Sequence, residues 1–219
     1  VAVKVKSGAN VEKMKQEITP QQSDRAEAFG LWMSSPMPMV TLVKTMDVTR
    51  AIKYGKRNNL GINSIMCWCI GKAASKIKEF FILPEQGKLY SYSSLGINVI
   101  VKNAGGGLSS CDIPYNENIK EFTENYLRLT QQATTENKNV VLKDSMIIGT
   151  SAMIQTELDC IVNQYTDKFC NPMVMWGKIR KGWIRRSLPI SFQFHHIQMD
   201  GTQGALFLEY LQETIKSLK

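Results

Sequence analysis

The stretch His195-His196-Ile197-Gln198-Met199-Asp200-Gly201 holds both histidines of the 219-residue chain. Just before it, residues 188–195 alternate apolar and polar side chains, which predicts a strand with Ile190, Phe192 and Phe194 on one face. Just after it, apolar residues at helical spacing predict a core-facing helix from Thr202. The stretch is therefore a strand-turn-helix junction, and the period of two turns its two imidazoles to opposite sides.

This junction has the chemistry of a general base. A neutral imidazole takes a proton from a hydroxyl near pH 7 when a hydrogen bond to its other ring nitrogen fixes the tautomer. Asp200 follows His196 by four residues, in a turn for which Gly201 supplies backbone freedom, so its carboxylate can brace the histidine's surroundings. Two ordinary histidines at a strand end are the alternative, but the strand-turn-helix setting favours catalysis.

The composition is that of a globular protein, with 43% hydrophobic and 21% charged residues. No apolar run approaches the roughly 18 residues of a membrane span, and residues 1–15 lack the apolar core of a secretory signal. We therefore expect a cytoplasmic protein without a membrane partner. The net charge of +8 fits a phosphate-bearing cofactor as well as a nucleic acid. However, the cations form no basic stripe outside residues 178–186, so no nucleic-acid partner is predicted.

The cysteine pattern argues against a fold held by disulfide bonds or by a structural metal. There are five, an odd number, and no two of them form a C-x-x-C pair. Neither a disulfide framework nor a zinc cage fits this pattern. We expect most of them to be reduced and buried, and we expect no metal.

Periodicity along the rest of the chain predicts strands alternating with helices. The predicted strands lie at residues 39–48, 96–102, 143–150, 154–162 and 188–195, and the predicted helices at 49–59, 64–78, 118–135 and from 202. No repeat or linker divides them, so residues 23–219 are predicted to form a single domain after a loosely specified N-terminal arm of residues 1–22. The fold class is α/β, with a mixed β-sheet covered by helices.

The segment HHIQMDG resembles the HHxxxDG signature of chloramphenicol acetyltransferases. The acyltransferase cores of 2-oxo acid dehydrogenases and the condensation domains of peptide synthetases share this signature in looser form. Further elements select the first family, because they resemble its motifs in the same order along residues 23–219. These elements are DRAEAF at 24–29, MDVT at 46–49, KEF at 78–80 and NPMVMWGK at 171–178.

The resemblance implies a two-layer α/β sandwich that assembles as a homotrimer, with active sites at subunit interfaces. Acetyl-CoA and a small-molecule acceptor would meet at His196, which would remove the proton of the acceptor hydroxyl for direct attack on the thioester. Asp200 would be structural and paired with a buried Arg25, and Lys178 would help hold a CoA phosphate. The expected function is O-acetylation of chloramphenicol or a similar xenobiotic, with antibiotic resistance as its result. Surface charges in contact with solvent are the alternative for Arg25 and Lys178.

The sequence departs from the family at the residues around the reaction. Cys160 aligns with the serine that stabilises the oxyanion, and a thiol is a weak donor. Thr156 is the nearest hydroxyl if the alignment slips. A buried structural cysteine is the favoured role for Cys160, with the oxyanion donor as the alternative. Met175 replaces a family threonine. These departures keep open a second function, that of a catalytically weak or silent trimeric ligand-binding paralogue. A cysteine nucleophile and the core of an acyl-carrier complex are less favoured.

Overall fold

A computed structural model describes residues 15–219. The first part of the predicted N-terminal arm, residues 1–14, lies outside the described residues. The rest of that arm is regular: β1 (Lys15–Ile18) pairs antiparallel with β4 (Lys88–Tyr92), and a 3₁₀ turn follows at Pro20–Gln22. With β3 (Ile82–Glu85) these strands form a small sheet of order β1-β4-β3. Residues 15–18 are thus attached to the body of the protein by strand pairing.

The main sheet has seven strands. In spatial order they are β2 (Met39–Asp47), β10 (Arg186–His195), β8 (Met173–Trp176), β7 (Met146–Ala152), β5 (Leu95–Lys102) and β6 (Leu108–Pro114), with β9 (Arg180–Lys181) also beside β10. The β5–β7 and β7–β8 pairs are parallel and the other pairs are antiparallel. The predicted mixed sheet is confirmed.

Helices form the second layer. They are α1 (Ala26–Trp32), α2 (Thr49–Asn58), α3 (Ile62–Ala74), α4 (Ile119–Glu136) and α5 (Gly201–Ser217), with a second 3₁₀ turn at Lys78–Phe81. Apolar side chains around most of α3 are buried, as its sequence predicts. The ring of Phe192 on β10 packs against those of Phe80 and Phe207, which joins the sheet to the helices. Within residues 15–219, no helix is both long enough and apolar enough to cross a membrane.

The two faces of β10 have different partners. Ile190, Phe192 and Phe194 are fully buried in the hydrophobic core, as the alternating pattern predicts. On the other face, Ser191 Oγ accepts the backbone N–H of Ile161 at 2.8 Å, and Gln193 Nε2 donates to the carbonyl of Asn163 at 3.1 Å. The irregular segment 153–172, between β7 and β8, is therefore attached to the polar face of β10.

The sequence prediction fails in this same segment. The strand predicted at residues 154–162 is wrong: the backbone there is irregular and most of its side chains are exposed. Its mixed pattern gives neither a continuous apolar face nor a core to pack it against. Conversely, β6 and β8 were missed, because β6 carries polar Ser and Asp side chains and β8 is a run of only four residues.

Candidate active site

His196 lies directly after β10, and its ring is positioned by a neighbouring residue while staying accessible to solvent. Its backbone N–H donates to the carbonyl of Pro38 at 2.8 Å, and 30% of its side chain is exposed. The indole of Trp32 stacks on the imidazole with ring centroids 4.8 Å apart and planes inclined by 8°. Stacking on one face fixes the plane of the imidazole, because the ring can turn only by losing this contact.

Arg25 holds the turn that carries His196. Its Nη1 and Nη2 donate to the two carboxylate oxygens of Asp200, each at 2.7 Å. Nη2 also donates to the carbonyl of His196 at 2.7 Å, and Nε donates to that of Ile197 at 2.8 Å. The bonds to Asp200 are charge-assisted bonds from a guanidinium that is largely desolvated, at 7% exposure, to a carboxylate whose side chain is 47% exposed. The pair predicted from the resemblance is present, and it fixes the turn from both ends.

The Asp200 carboxylate also faces the imidazole. Its Oδ1 lies 3.2 Å from Nδ1 of His196, although the orientation is not that of a hydrogen bond. The hydrogen bond from Arg25 holds the pKa of Asp200 below its usual range, so this group is an anion at neutral pH. A negative oxygen beside Nδ1 favours the tautomer that keeps its proton there. Nε2 is then the nitrogen with a free lone pair, which is the state of a general base.

His195 is a buried structural residue. It is fully buried, and its Nδ1 accepts the backbone N–H of Ile197 at 3.1 Å. Burial lowers the pKa of His195 to about 4, so its ring is neutral at pH 7. Of the two histidines, only His196 is available for proton transfer. Within residues 15–219, no group of three or more His, Cys, Asp or Glu side chains comes close enough together to hold a metal ion.

The sequence analysis missed Trp32. Its position carried a usable signal, because it follows Arg25 by seven residues, or about two helical turns, and so lies on the same face of α1. Arg25, the N-cap of α1, and Trp32, its last residue, thus both contact the turn of residues 196–200. The resemblance places Arg25 beside the histidine motif. The spacing of seven residues from Arg25 to Trp32 could therefore have predicted that Trp32 also lies beside it.

Cys160 lies in the segment 153–172 and its thiol is exposed, whereas the other four cysteines are buried and all five are free. The favoured prediction, a buried structural cysteine, is therefore wrong. The neighbouring Ile161 N–H binds Ser191, five residues before His196 on the chain. Among the described hydrogen bonds of the protein, none joins Cys160 to His196. Thr156 is also exposed, and its carbonyl accepts the N–H of Lys178 at 2.7 Å.

Lys178 is exposed after β8, away from the histidine turn and close in sequence to a basic cavity at the start of β10. This cavity, of about 740 Å³, lies between α2, the α2–α3 connection and the β9–β10 hairpin. Lys56, Lys181 and Arg186 line it together with apolar residues, and no described acidic side chain does. The sequence indicated Lys181 and Arg186 as part of the basic run 178–186 but gave no sign that Lys56 joins them.

An α/β sandwich with an HHxxxDG junction at the end of a central strand defines a class of enzymes, the acyltransferases. A family model described as chloramphenicol acetyltransferase matches residues 16–212. The chain belongs to the chloramphenicol acetyltransferase family, of which it is a divergent member. The predictions of family, fold class and acyltransferase activity are confirmed.

Individual relatives show how far the chain has diverged. Chloramphenicol acetyltransferase 3 of Escherichia coli is 24% identical over 194 residues, which cover 86% of each chain. Chloramphenicol acetyltransferase of Bacillus pumilus is 23% identical over 198 residues, or 88% of this chain and 90% of the relative. A solved chloramphenicol acetyltransferase structure superposes with a TM-score of 0.78 at 20% identity, covering 94% of this chain and 100% of the other.

Proposed function

We propose that the protein is an acetyl-CoA-dependent O-acetyltransferase that acts on a hydroxyl of a small molecule, chloramphenicol or a similar xenobiotic, with His196 as general base. The observation that carries this proposal is the state of His196. Trp32 fixes the ring plane, and Asp200, itself fixed by Arg25, favours a lone pair on Nε2. Antibiotic resistance in the cytoplasm is the expected biological role.

The reaction needs no covalent enzyme intermediate. His196 Nε2 takes the proton of the acceptor hydroxyl while that oxygen attacks the thioester carbonyl of acetyl-CoA. The resulting tetrahedral oxyanion collapses, the C–S bond breaks, and the imidazolium returns the proton to the leaving thiolate of CoA. A donor to the oxyanion stabilises this intermediate, and in this chain Cys160 occupies the position of the family serine. Its thiol is a weaker donor than a hydroxyl.

The basic cavity is the proposed site for the phosphates of CoA. Lys56, Lys181 and Arg186 provide the positive charge, and Lys178 lies beyond β8 on the same stretch of chain. Arg186 begins β10 and His195 ends it, so these two residues stand about 30 Å apart along a ten-residue strand. The cavity and the histidine of one chain therefore lie at opposite ends of β10. A thioester bound through this cavity would therefore meet His196 of another copy, which supports a homotrimer with active sites between subunits.

A second candidate is a catalytically weak or silent ligand-binding paralogue. Two departures favour it: Cys160 stands where the family has its oxyanion serine, and Met175, where the family has threonine, is buried on β8. In that case the protein would bind CoA or an acceptor without turnover.

Thiol release from acetyl-CoA, measured over a panel of hydroxylated acceptors that includes chloramphenicol, tests the proposal. His196→Ala should lower kcat by about 100- to 10,000-fold, which is the usual contribution of a general base. CoA affinity, measured by calorimetry, should stay unchanged in this variant and serves as the control for folding. Turnover that survives in His196→Ala, or a wild type that does not bind CoA, contradicts the proposal. CoA binding without turnover on any acceptor favours the silent paralogue.

A further inference from the structure

A second cavity, of about 380 Å³, lies between the main sheet and residues 163–169. Its floor follows one lateral row of the sheet: Gln193, Met173, Gly149, Asn98 and Asp112 are paired in register from β10 through β8, β7 and β5 to β6. All of these except Gln193 line the cavity. His195 follows Gln193 by two residues, so the row lies on the sheet face to which His195 also points.

Gly149 keeps the middle of this floor open. A Cβ at this position would lie 2.0 Å from Sδ of Met173, so only glycine lets the Met173 side chain lie across β7. The thioether then forms an apolar floor between the two polar ends of the row.

The deep end of the cavity holds a carboxylate without a counter-ion. Asp112 is 8% exposed, and its oxygens accept from Asn98 Nδ2 at 2.7 Å and from the N–H of Leu142 at 3.0 Å. Among residues 15–219, no Lys, Arg or His side chain lies within ion-pair distance of it. Asp112 is also the only charged side chain among the described residues that line the cavity. Burial of a charge is costly unless a partner of opposite charge arrives.

The amide beside Asp112 leaves an acceptor for a ligand. Asn98 uses both N–H donors inside the wall, on Ser110 Oγ at 2.6 Å and on Asp112, so its Oδ1 is the atom left unpaired. Asn171 donates to the carbonyl of Ile147 at 2.9 Å. An ammonium group brings three donors and no acceptor, which matches such a wall. Phe169, 70% exposed at the rim, offers an aromatic face to a cation.

We propose that this cavity binds a compound that carries an ammonium group, whose charge pairs with Asp112, and that this compound is the hydroxyl acceptor for His196 of another copy, since the proposed function has active sites between subunits. The catalytic part of this inference rests on the proposed function, whereas the binding of the cation does not. A neutral acceptor leaves the Asp112 carboxylate buried and uncompensated, so a similar hydroxyl compound with an ammonium group should be preferred over neutral chloramphenicol.

A matched pair of acceptors tests the selection: an aromatic amino diol, and the same compound with its amine N-acetylated, which removes the charge and keeps the hydroxyls. Wild-type kcat/KM, from thiol release, should favour the free amine by tenfold or more. Asp112→Asn, which keeps the shape of the side chain, should abolish most of this preference. Asp144→Asn is the control, because Asp144 is exposed, lies outside the cavity and has a left-handed φ of 57° that asparagine also adopts.

A variant at the rim of the cavity provides a second test if Asp112→Asn fails to fold. Phe169→Leu changes an exposed ring and should lower the preference by about two- to fivefold, the size of an exposed cation–π contact. Equal kcat/KM for the two compounds in the wild type overturns the proposal. So does a preference that remains unchanged in a folded Asp112→Asn variant, or in Phe169→Leu when Asp112→Asn does not fold.

Binding of the corresponding amine without hydroxyls, followed by calorimetry, separates this inference from the proposed function. If this amine binds the wild type and not Asp112→Asn while no acceptor is acetylated, the cavity assignment stands and the acetyltransferase proposal fails. If acceptors are acetylated but the amine does not bind, the acetyltransferase stands and the assignment of the cavity is wrong.

Discussion

The guanidinium of Arg25 meets the carboxylate of Asp200 through two hydrogen bonds of 2.7 Å, and it binds the carbonyl of His196 with the same Nη2. One side chain at the N-cap of α1 thus holds both His196 and the carboxylate beside it. Because the guanidinium donates to the backbone carbonyl of His196, the ion pair would act in the proposed reaction through the position of the imidazole.

Arg25→Lys should destabilise the protein although it keeps the charge. A lysine cannot make the planar bidentate contact and reach two carbonyls at once, so the loss should be about 2 kcal/mol. This corresponds to a fall in Tm of about 4–8 °C for a chain of this size. Thermal unfolding measures it. Arg128→Lys, on the exposed side of α4, is the control and should leave Tm unchanged. Equal Tm values for all three proteins contradict the structural role of Arg25.

The free energy of unfolding should decrease as the pH is lowered through a window set by the pKa of His195. In the unfolded chain this histidine binds a proton below about pH 6.5, whereas in the folded protein burial lowers its pKa to about 4. The unfolded state therefore binds more protons across this window, and stability decreases as pH falls. The expected loss from pH 7.5 to pH 5 is about 2 kcal/mol, measured by urea unfolding.

His195→Asn is the control for this pH dependence. Asparagine keeps an acceptor for the N–H of Ile197 but does not titrate, so the slope of stability against pH should become flatter between pH 7.5 and 5. If the slope is the same in both proteins, another group is responsible.

Trp32→Ala should lower kcat without unfolding the protein, because its indole holds the plane of the imidazole. A stacked aromatic pair contributes about 0.5–1.5 kcal/mol, so a fall of roughly 2- to 13-fold is expected. Trp32→Phe should recover much of this loss, because it restores a ring face. Steady-state kinetics with Tm as the control measure the effect; a phenylalanine variant no better than alanine argues against stacking as the cause.

Cys160 should be the single thiol of the native protein that reacts quickly with a disulfide reagent, against five after denaturation. The other thiols are buried, and burial raises the pKa of Cys67 to about 12 and that of Cys111 to about 11. Cys160→Ala should abolish the fast phase. More than one fast thiol would show that the segment 153–172 or the core opens readily.

Cys160→Ser tests the oxyanion role. If this position faces the developing oxyanion, a hydroxyl should raise kcat by about tenfold or more, with the roughly 100- to 1,000-fold that one full donor contributes as the upper limit. Cys160→Ala should then be no better than the wild type. Equal kcat in the serine and alanine variants would remove Cys160 from the mechanism.

The sequence predicted the histidine junction well, because every requirement there is local. The alternation of residues 188–195 and the apolar spacing of the last helix lie within about thirty residues, and both match the structure. Gly201, which was expected to provide backbone freedom in the turn, is instead the first residue of α5 and has no positive φ. The pairing of Arg25 with Asp200 spans 175 positions. It was available only through the resemblance, because no local pattern connects residues so far apart.

The parts of the site that the sequence did not predict are set by contacts between distant strands. The row from Met173 to Asp112 exists because four strands align in one register, and neither composition nor period contains that alignment. Asp112 in particular lies on β6, a strand that was not predicted from the sequence because it carries polar residues. In the same way, Lys56 joins Lys181 and Arg186 only after α2 packs beside the β9–β10 hairpin.

The length of β10 has a genetic consequence. If the cations at its start and the histidine after its end serve different active sites, two inactive variants can repair each other. One protein carries His196→Ala, and the other carries both Lys56→Ala and Arg186→Ala. Each is expected to be inactive alone, and turnover should return when the two are unfolded and reassembled together. In mixed assemblies, roughly a quarter of the sites would pair an intact cavity with an intact histidine. In a cell that expresses both alleles, the two lesions would complement.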